Sequence, residues 1–273
     1  MRPDIANYFR RLDEIPGWFS PVDFLLFDSL LTTQPVGDLL EIGAYQGASA
    51  ILLGMHRRPD EAFTVCDLFG MPEETAANRA ESEFWYSDLT RTAFEHNYLR
   101  FVSELPTIIQ APSDEILQHV NADSCRFVHV DGSHLYEYVQ SDIRAAKLML
   151  RPEGIIVCDD WRSPHTPGVT VAVMDQVLAG DLHVIALTNQ KFYGSWSESA
   201  AKAAREDVIS WARTTPEVQL HLEVVRGVRW PRIVAAAGRR FTLRERAARR
   251  AGRGLAKLRR DLHTLRRRAA ARK

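Results

Sequence analysis

The sequence predicts an α/β fold, a doubly wound and mostly parallel sheet with helices on both faces, and three observations lead there. Apolar runs of strand length at residues 39–42, 63–66, 107–109, 127–130, 155–158 and 184–187 alternate with segments of helical periodicity. Several of these runs are apolar throughout rather than at every second residue, as strands covered on both faces require. A glycine turn from Gly43 to Gly47 follows the first run, where such a sheet hands over to its first helix.

Residues 1–36 precede the first strand, and Val22, Phe24, Leu25, Leu26, Phe27, Leu30 and Leu31 within them read as one amphipathic helix laid on the sheet. Asp4, Arg10, Arg11, Asp13 and Glu14 interrupt the N-terminal stretch, and no apolar run reaches the roughly 20 residues of a membrane span. The expectation is a chain neither secreted nor membrane-spanning. The connection 70–106, with Phe84, Trp85, Tyr86 and His96, far exceeds the roughly 2–6 residues usual around a crossover helix. It reads either as an active-site lid or as an extra helix that only packs. Val139, Ile143, Ala146 and Leu150 form a helical stripe that Arg151, Pro152, Glu153 and Gly154 bring to an end. Beyond Gly238, alanine and arginine dominate, and Leu255, Leu258, Leu262 and Leu265 make a short heptad-like seam. The chain divides into a helical cover at 1–36, a main domain at 37–237 and a basic helical tail at 238–273.

The formal charge of zero is unevenly spread: residues 239–273 hold 15 Lys and Arg against Glu245 and Asp261, and the rest of the chain is acidic to the same extent. Such a tail suits an anionic membrane surface, self-association through the leucine seam, or plain solvation. Nucleic acid is the weaker partner, because Phe241 is the tail's single aromatic residue and gives no stacking platform. Cys66, Cys125 and Cys158 are odd in number and widely spaced, which points to buried reduced thiols and a cytoplasmic setting rather than a disulfide framework or a zinc site.

The spacing Gly43-x-x-x-Gly47 is not the Gly-x-Gly-x-x-Gly of a pyrophosphate site, so a nucleoside without phosphates fits better than a dinucleotide. Glu41, at the strand end, also argues against a polyanion and can orient water or a cationic amino group. Asp67 closes the second strand 24 residues after Gly43, where folds of this kind place an acid on ribose hydroxyls. Asp131 ends the fourth strand, and the pair Asp159 and Asp160 ends the fifth, all on the edge where open sheets bind ligands. Three converging carboxylates need a shared cation, and oxygen ligands select a hard one such as Mg2+ or Ca2+; the alternative is that these acids cap loops and helices. His134, three residues past Asp131, suits a general base, since a neutral imidazole titrates near about pH 6.5. A capping or supporting histidine is the other reading. His165, in the turn-rich segment after the acid pair, is placed to line an acceptor pocket.

The run from Leu40 to Ser49, Leu-Glu-Ile-Gly-Ala-Tyr-Gln-Gly-Ala-Ser, resembles the first motif of the catechol O-methyltransferase group of class I S-adenosylmethionine-dependent methyltransferases, a likeness that spans roughly 39–157. It implies a Rossmann-like, mostly parallel seven-stranded sheet. It implies that Gly43, Tyr45 and Ser49, with Glu41 and Gly47, hold the methionine part of the cofactor, that Asp67 holds the ribose, and that Ser113 in the 111–114 stretch holds the adenine. Pro112 and Ser113 depart from the small and amide residues usual there. An Asp followed by an Asp-Asp pair is similar to the metal-dependent sugar O-methyltransferases and the cephalosporin-hydroxylase-like family, whereas catechol enzymes carry Asp then Asp-Asn. Asp131, Asp159 and Asp160 would then bind Mg2+, with Asp131 also serving cofactor and catalysis. His134 stands where catechol enzymes carry a lysine that takes the substrate proton. The implied activity is methyl transfer from S-adenosylmethionine to a hydroxyl of a small molecule or sugar, assisted by a divalent metal. The alternatives are a metal-independent methyltransferase with the same cofactor site and a nucleic-acid-associated protein acting through its tail.

Overall fold

The computed structural model describes residues 1–71 and 89–237. Within them one nine-stranded sheet is built from β1 (Asp38–Ile42), β2 (Phe63–Cys66), β3 (Thr107–Ile109), β4 (Cys125–Val130), β5 (Leu150–Cys158), β6 (His183–Leu187), β7 (Phe192–Ser195), β8 (Val218–Val225) and β9 (Val228–Ala235), in the order β3-β2-β1-β4-β5-β7-β6-β9-β8. The strands β1 to β5 are parallel, and β7 runs antiparallel to both its neighbours. The helices are α1 (Pro3–Arg10), α2 (Pro21–Thr33), α3 (Ala48–His56), α4 (Arg91–Leu99), α5 (Tyr136–Met149), α6 (Pro167–Ala179) and α7 (Glu198–Thr214). One face of the sheet packs with residues of α1, α2, α3, α4 and α7 and the other with α5 and α6, so apolar strands are buried on both sides. The strand order reverses between β1 and β4, which is where open sheets of this kind admit a ligand.

All six expected strands are present, but the sheet has nine strands rather than seven. The strand β7 is four residues long and returns from β6 through a tight turn at 188–191, too short to show a period of its own. The hairpin β8–β9 turns at Arg226 and Gly227, with φ of 52° and 80°. A two-residue hairpin turn needs left-handed backbone, and Arg-Gly announces it less clearly than Asn-Gly does. Residues 151–154 do more than stop a helix: β5 already starts at Leu150, and the pairing jumps from Leu150 opposite Cys125 to Ile155 opposite Phe127. The irregularity carries Pro152, which cannot donate to a ladder.

The helix α2 forms where the Val22–Leu31 pattern places it, with Ser20 accepting the N–H of Asp23 and Pro21 at its first position. It is buried on more than one side, because α3, α7 and β9 surround it, and even Asp23 is enclosed. Of the long 70–106 connection, α4 serves as core cover: Phe94 packs near Gly47 and the Tyr98 ring lies over Gly54, while His96 is exposed. Phe84, Trp85 and Tyr86 lie outside the described residues, as does the basic tail with its leucine seam. Cys66, Cys125 and Cys158 are buried free thiols. No helix among the described residues is long and apolar enough to cross a membrane.

The base of the sheet is fastened by Arg126, whose side chain is 1% exposed. It makes a two-pronged bond to Glu61, at 2.8 and 2.9 Å, and donates to the carbonyls of Leu31, Gly37 and His56. Burial pushes the Glu61 carboxyl up, but Arg126 and the N–H groups of Arg58 and Gly37 outweigh it and hold the acid below its usual range. An acid held low adds stability above its usual value and loses it as the pH falls. Arg126→Met should strand the carboxylate and cost about 3–5 kcal/mol in urea denaturation, with Glu61→Gln in the same chain recovering part of it. A loss under about 1 kcal/mol would mean that water reaches the pair.

Candidate active site

Strand β1 delivers the glycine turn. Gly43, Tyr45 and Gly47 have φ of 80°, 47° and 95°, so the chain winds through left-handed backbone before α3 begins at Ala48. At Gly43 the obstacle to a side chain is protein and not only a ligand: a Cβ there would lie 2.1 Å from the carbonyl oxygen of Asp131. Asp67 holds the turn from the next strand. Its Oδ2 accepts the N–H groups of Ala44 (2.7 Å) and Tyr45 (3.0 Å), and its Oδ1 accepts that of Phe69 (2.7 Å). The Asp67 carboxylate therefore shapes the turn directly. Tyr45 stacks obliquely against the half-exposed Trp18, with ring centroids 5.4 Å apart.

A chain of buried polar groups runs beneath the turn. The Ser49 hydroxyl donates to Glu41 Oε1, and His129 Nδ1 lies 2.7 Å from the same oxygen. On the other side of the ring, His129 Nε2 is 3.0 Å from Lys191 Nζ, and Lys191 Nζ is 2.6 Å from Asp159 Oδ2 and 4.0 Å from Asp131 Oδ2. An ammonium can only donate, so Nε2 accepts and Nδ1 carries the ring proton toward Glu41. Burial and the nearby ammonium keep His129 well below its usual value, hence neutral. Burial raises Glu41 from 4.5 to about 8, leaving it protonated near neutral pH. Burial would lower Lys191, but Asp159, Asp131 and Asp23 reverse the sign and fix it as a cation. Asp131 is pushed up by burial and by the charge of Asp159.

Asp160 goes elsewhere. Asp159 follows Val157 on the face shared with His129 and Lys191, and successive strand residues face opposite ways. Asp160 adopts a φ of 53° and puts Oδ2 3.1 Å from His134 Nε2. Asp131, Gly132, Ser133, His134 and Asp159 line one small hollow. Ser113 opens a 3-10 turn, Ser113–Gln118, beside Asp142 of α5. His165 is exposed and is not in the lining of this hollow.

The structure thus brings Asp131 and Asp159 together with His134 and sets Gly43 against Asp131, but it separates Asp160 from the expected trio. Among the described residues, the group whose ligand atoms lie within 4.8 Å of one another is His129, Asp131 and Asp159. A hard divalent ion fits this set poorly: only two of its members are oxygen donors, and the Lys191 ammonium stands against Asp159 within 4.0 Å of Asp131. Lys191 and His129 escaped the sequence reading. A lysine in a polar turn reads as exposed, and His129 lies inside an apolar run; the usable signal was three acids with no cation in the sequence assigned to them.

The order β3-β2-β1-β4-β5-β7-β6 with β7 reversed, the glycine turn after β1 and the acids after β4 and β5 define a class I methyltransferase fold. Residues 40–161 match the family described as a methyltransferase domain. Among solved structures, the O-methyltransferase NovP is 19% identical with a TM-score of 0.51, over 70% of this chain and 79% of that one. An O-methyltransferase from Bacillus cereus in complex with SAH is 14% identical with a TM-score of 0.45, over 71% and 92%. CalS11, a TDP-rhamnose 3'-O-methyltransferase of calicheamicin biosynthesis, is 18% identical with a TM-score of 0.41, over 72% and 82%. No curated protein sequence matches the chain.

Two outcomes follow from this geometry. Gly43→Ala should lower stability by roughly 3 kcal/mol or more, read as a fall in melting temperature, because both the backbone angle and the Asp131 carbonyl oppose a methyl group. Glu41 is neutral in the folded chain up to about pH 8 but ionises near 4.5 once unfolded. Stability should therefore fall as the pH rises through that window, by up to about 1.4 kcal/mol per unit, and Glu41→Gln should flatten the slope in denaturant titrations at pH 5 and 8.

Proposed function

We propose that the protein is an S-adenosylmethionine-dependent O-methyltransferase acting on a hydroxyl of a small molecule, with a sugar as the leading acceptor class. The observation that carries the reading is that His134, 3.1 Å from Asp160, lines one hollow with Asp131, which is itself in main-chain contact with the glycine turn. A base and a nucleoside-binding turn are then side by side. Gly43, Tyr45, Gly47 and Ser49 serve the methionine part of the cofactor, with Glu41 supporting the turn from below. Asp67 shapes the turn and presents its remaining lone pairs to the ribose, and Ser113 borders the adenine. The sugar preference rests on the Asp followed by Asp-Asp pattern.

In this reading the acceptor hydroxyl enters the hollow and gives its proton to His134. Asp160, with its Oδ2 3.1 Å from His134 Nε2, stabilises the imidazolium by its charge. The oxygen attacks the sulfonium methyl in line; the C–O bond forms, the C–S bond breaks, and its electron pair stays on sulfur as S-adenosylhomocysteine leaves. Fixed geometry supplies at most about 7–11 kcal/mol of the barrier. The magnesium that the acid pattern suggests has no step in this sequence.

Calorimetric titration of S-adenosylmethionine, followed by transfer of labelled methyl to a panel of sugars and catechols, tests the proposal. His134→Ala should reduce kcat by about 10²–10⁴ while the cofactor Kd stays within about twofold. Absence of cofactor binding to the intact protein would overturn the assignment.

A further inference from the structure

We propose that Lys191 is the resident cation of this active site and takes the place of a divalent metal, so that methyl transfer by this chain is metal-independent. The inference deepens the methyltransferase reading and rests on it.

Three acids at neighbouring strand ends demand positive charge, and the sequence offers two ways to meet the demand: an ion from solution or a basic side chain. The structure contains the second. Lys191 is 1% exposed, and its ammonium is bonded to Asp159 at 2.6 Å and to His129 at 3.0 Å. A surface lysine passing by would not be held this way. The 188–191 turn fixes it: the Lys191 N–H donates to Thr188 Oγ1 at 2.8 Å, and the Thr188 N–H donates to the Lys191 carbonyl at 2.9 Å. The Phe19 ring closes the opposite side, with its centroid 5.6 Å from Nζ. Neutral His129 accepts from the lysine and is held in that tautomer by Glu41, so the chain's own hydrogen bonds aim the ammonium at the carboxylates.

The third acid stands apart from the other two, with its Oδ2 3.1 Å from His134 Nε2. An ammonium neutralises and donates hydrogen bonds, but it does not acidify a hydroxyl as a bound metal ion does. Deprotonation then falls to a base, and the chain supplies one in His134. A consequence for the substrate follows. A metal site favours acceptors that chelate through two adjacent oxygens, whereas an imidazole base asks for a single hydroxyl. Acceptors without a vicinal diol or catechol should therefore serve.

The test uses the full chain. MgCl2, MnCl2 and CaCl2 are titrated calorimetrically into wild type saturated with S-adenosylmethionine. No saturable binding is expected up to about 1 mM, the weak end of protein calcium sites. Lys191→Met keeps the apolar stem and removes the charge; it should open the Asp131–Asp159 pair to a divalent ion and give saturable Mg2+ binding in that range, with folding checked by circular dichroism. Where an acceptor from the panel is found, EDTA should leave wild-type kcat/KM within about twofold, well short of the tenfold that about 1.4 kcal/mol would produce. Saturable Mg2+ binding to wild type, or loss of its turnover on EDTA treatment reversed by Mg2+, would overturn the inference. Failure of S-adenosylmethionine to bind in the same instrument would instead overturn the methyltransferase reading, so the two failures are told apart.

Discussion

The main chain of Gly43 lies against the main chain of Asp131, and the remainder of the site depends on that approach. The Asp131 N–H donates to the Ile42 carbonyl at 2.7 Å, and the Gly43 N–H donates to Cys66 at 2.8 Å, so the exits of β1, β2 and β4 are tied at one point. A side chain at 43 would push the first exit from the third. The glycine turn and the first acid of the hollow could not then share a wall. Glycine at 43 is thus required by the packing of two strands, before any ligand arrives.

From that knot a polar path descends through the layer, from Ser49 through Glu41, His129 and Lys191 to Asp159. Burying five such groups is unfavourable unless each finds a partner. Their protonation states interlock. Lys191 is held as a cation by the acids around it, while Glu41 and His129 are held neutral by burial. The path links the glycine turn to the acid edge by hydrogen bonds rather than by shape alone. Loss of its charge at one end would be felt at the other.

Much of this was legible in the sequence, and the remainder was hidden for definable reasons. The runs at 39–42 and 127–130 are apolar enough to announce buried parallel strands, and Gly43, Gly47 and Asp67 carry spacing that reads as a nucleoside turn. The helix α2 was visible from its apolar residues, though not that Asp23 within it would be enclosed and bonded to the Tyr193 hydroxyl at 2.8 Å. Lys191 was invisible because its burial comes from Phe19 and His129, residues far away along the chain. The β8–β9 hairpin was missed because its strands carry polar residues on an exposed face and turn through Arg226-Gly227. His129 lies inside the apolar run 127–130, which gives no sign of its bond to Glu41.

Asp159 and Asp160 show how adjacent identical residues receive different work. A pair of acids after a strand invites the assumption that both point into one site, yet strand residues alternate in direction, and Asp160 adds a left-handed φ that completes the divergence. Asp159 goes to the face of β5 shared with α2 and meets Lys191; Asp160 goes toward the start of α5 and meets His134. Convergence of all three acids on one ion would require Asp160 to give up the imidazole and Asp159 to give up the ammonium. The Lys191 ammonium would then be left buried without its carboxylate, which is costly for a charged group. The geometry therefore favours two separate pairs, Lys191 with Asp159 and His134 with Asp160.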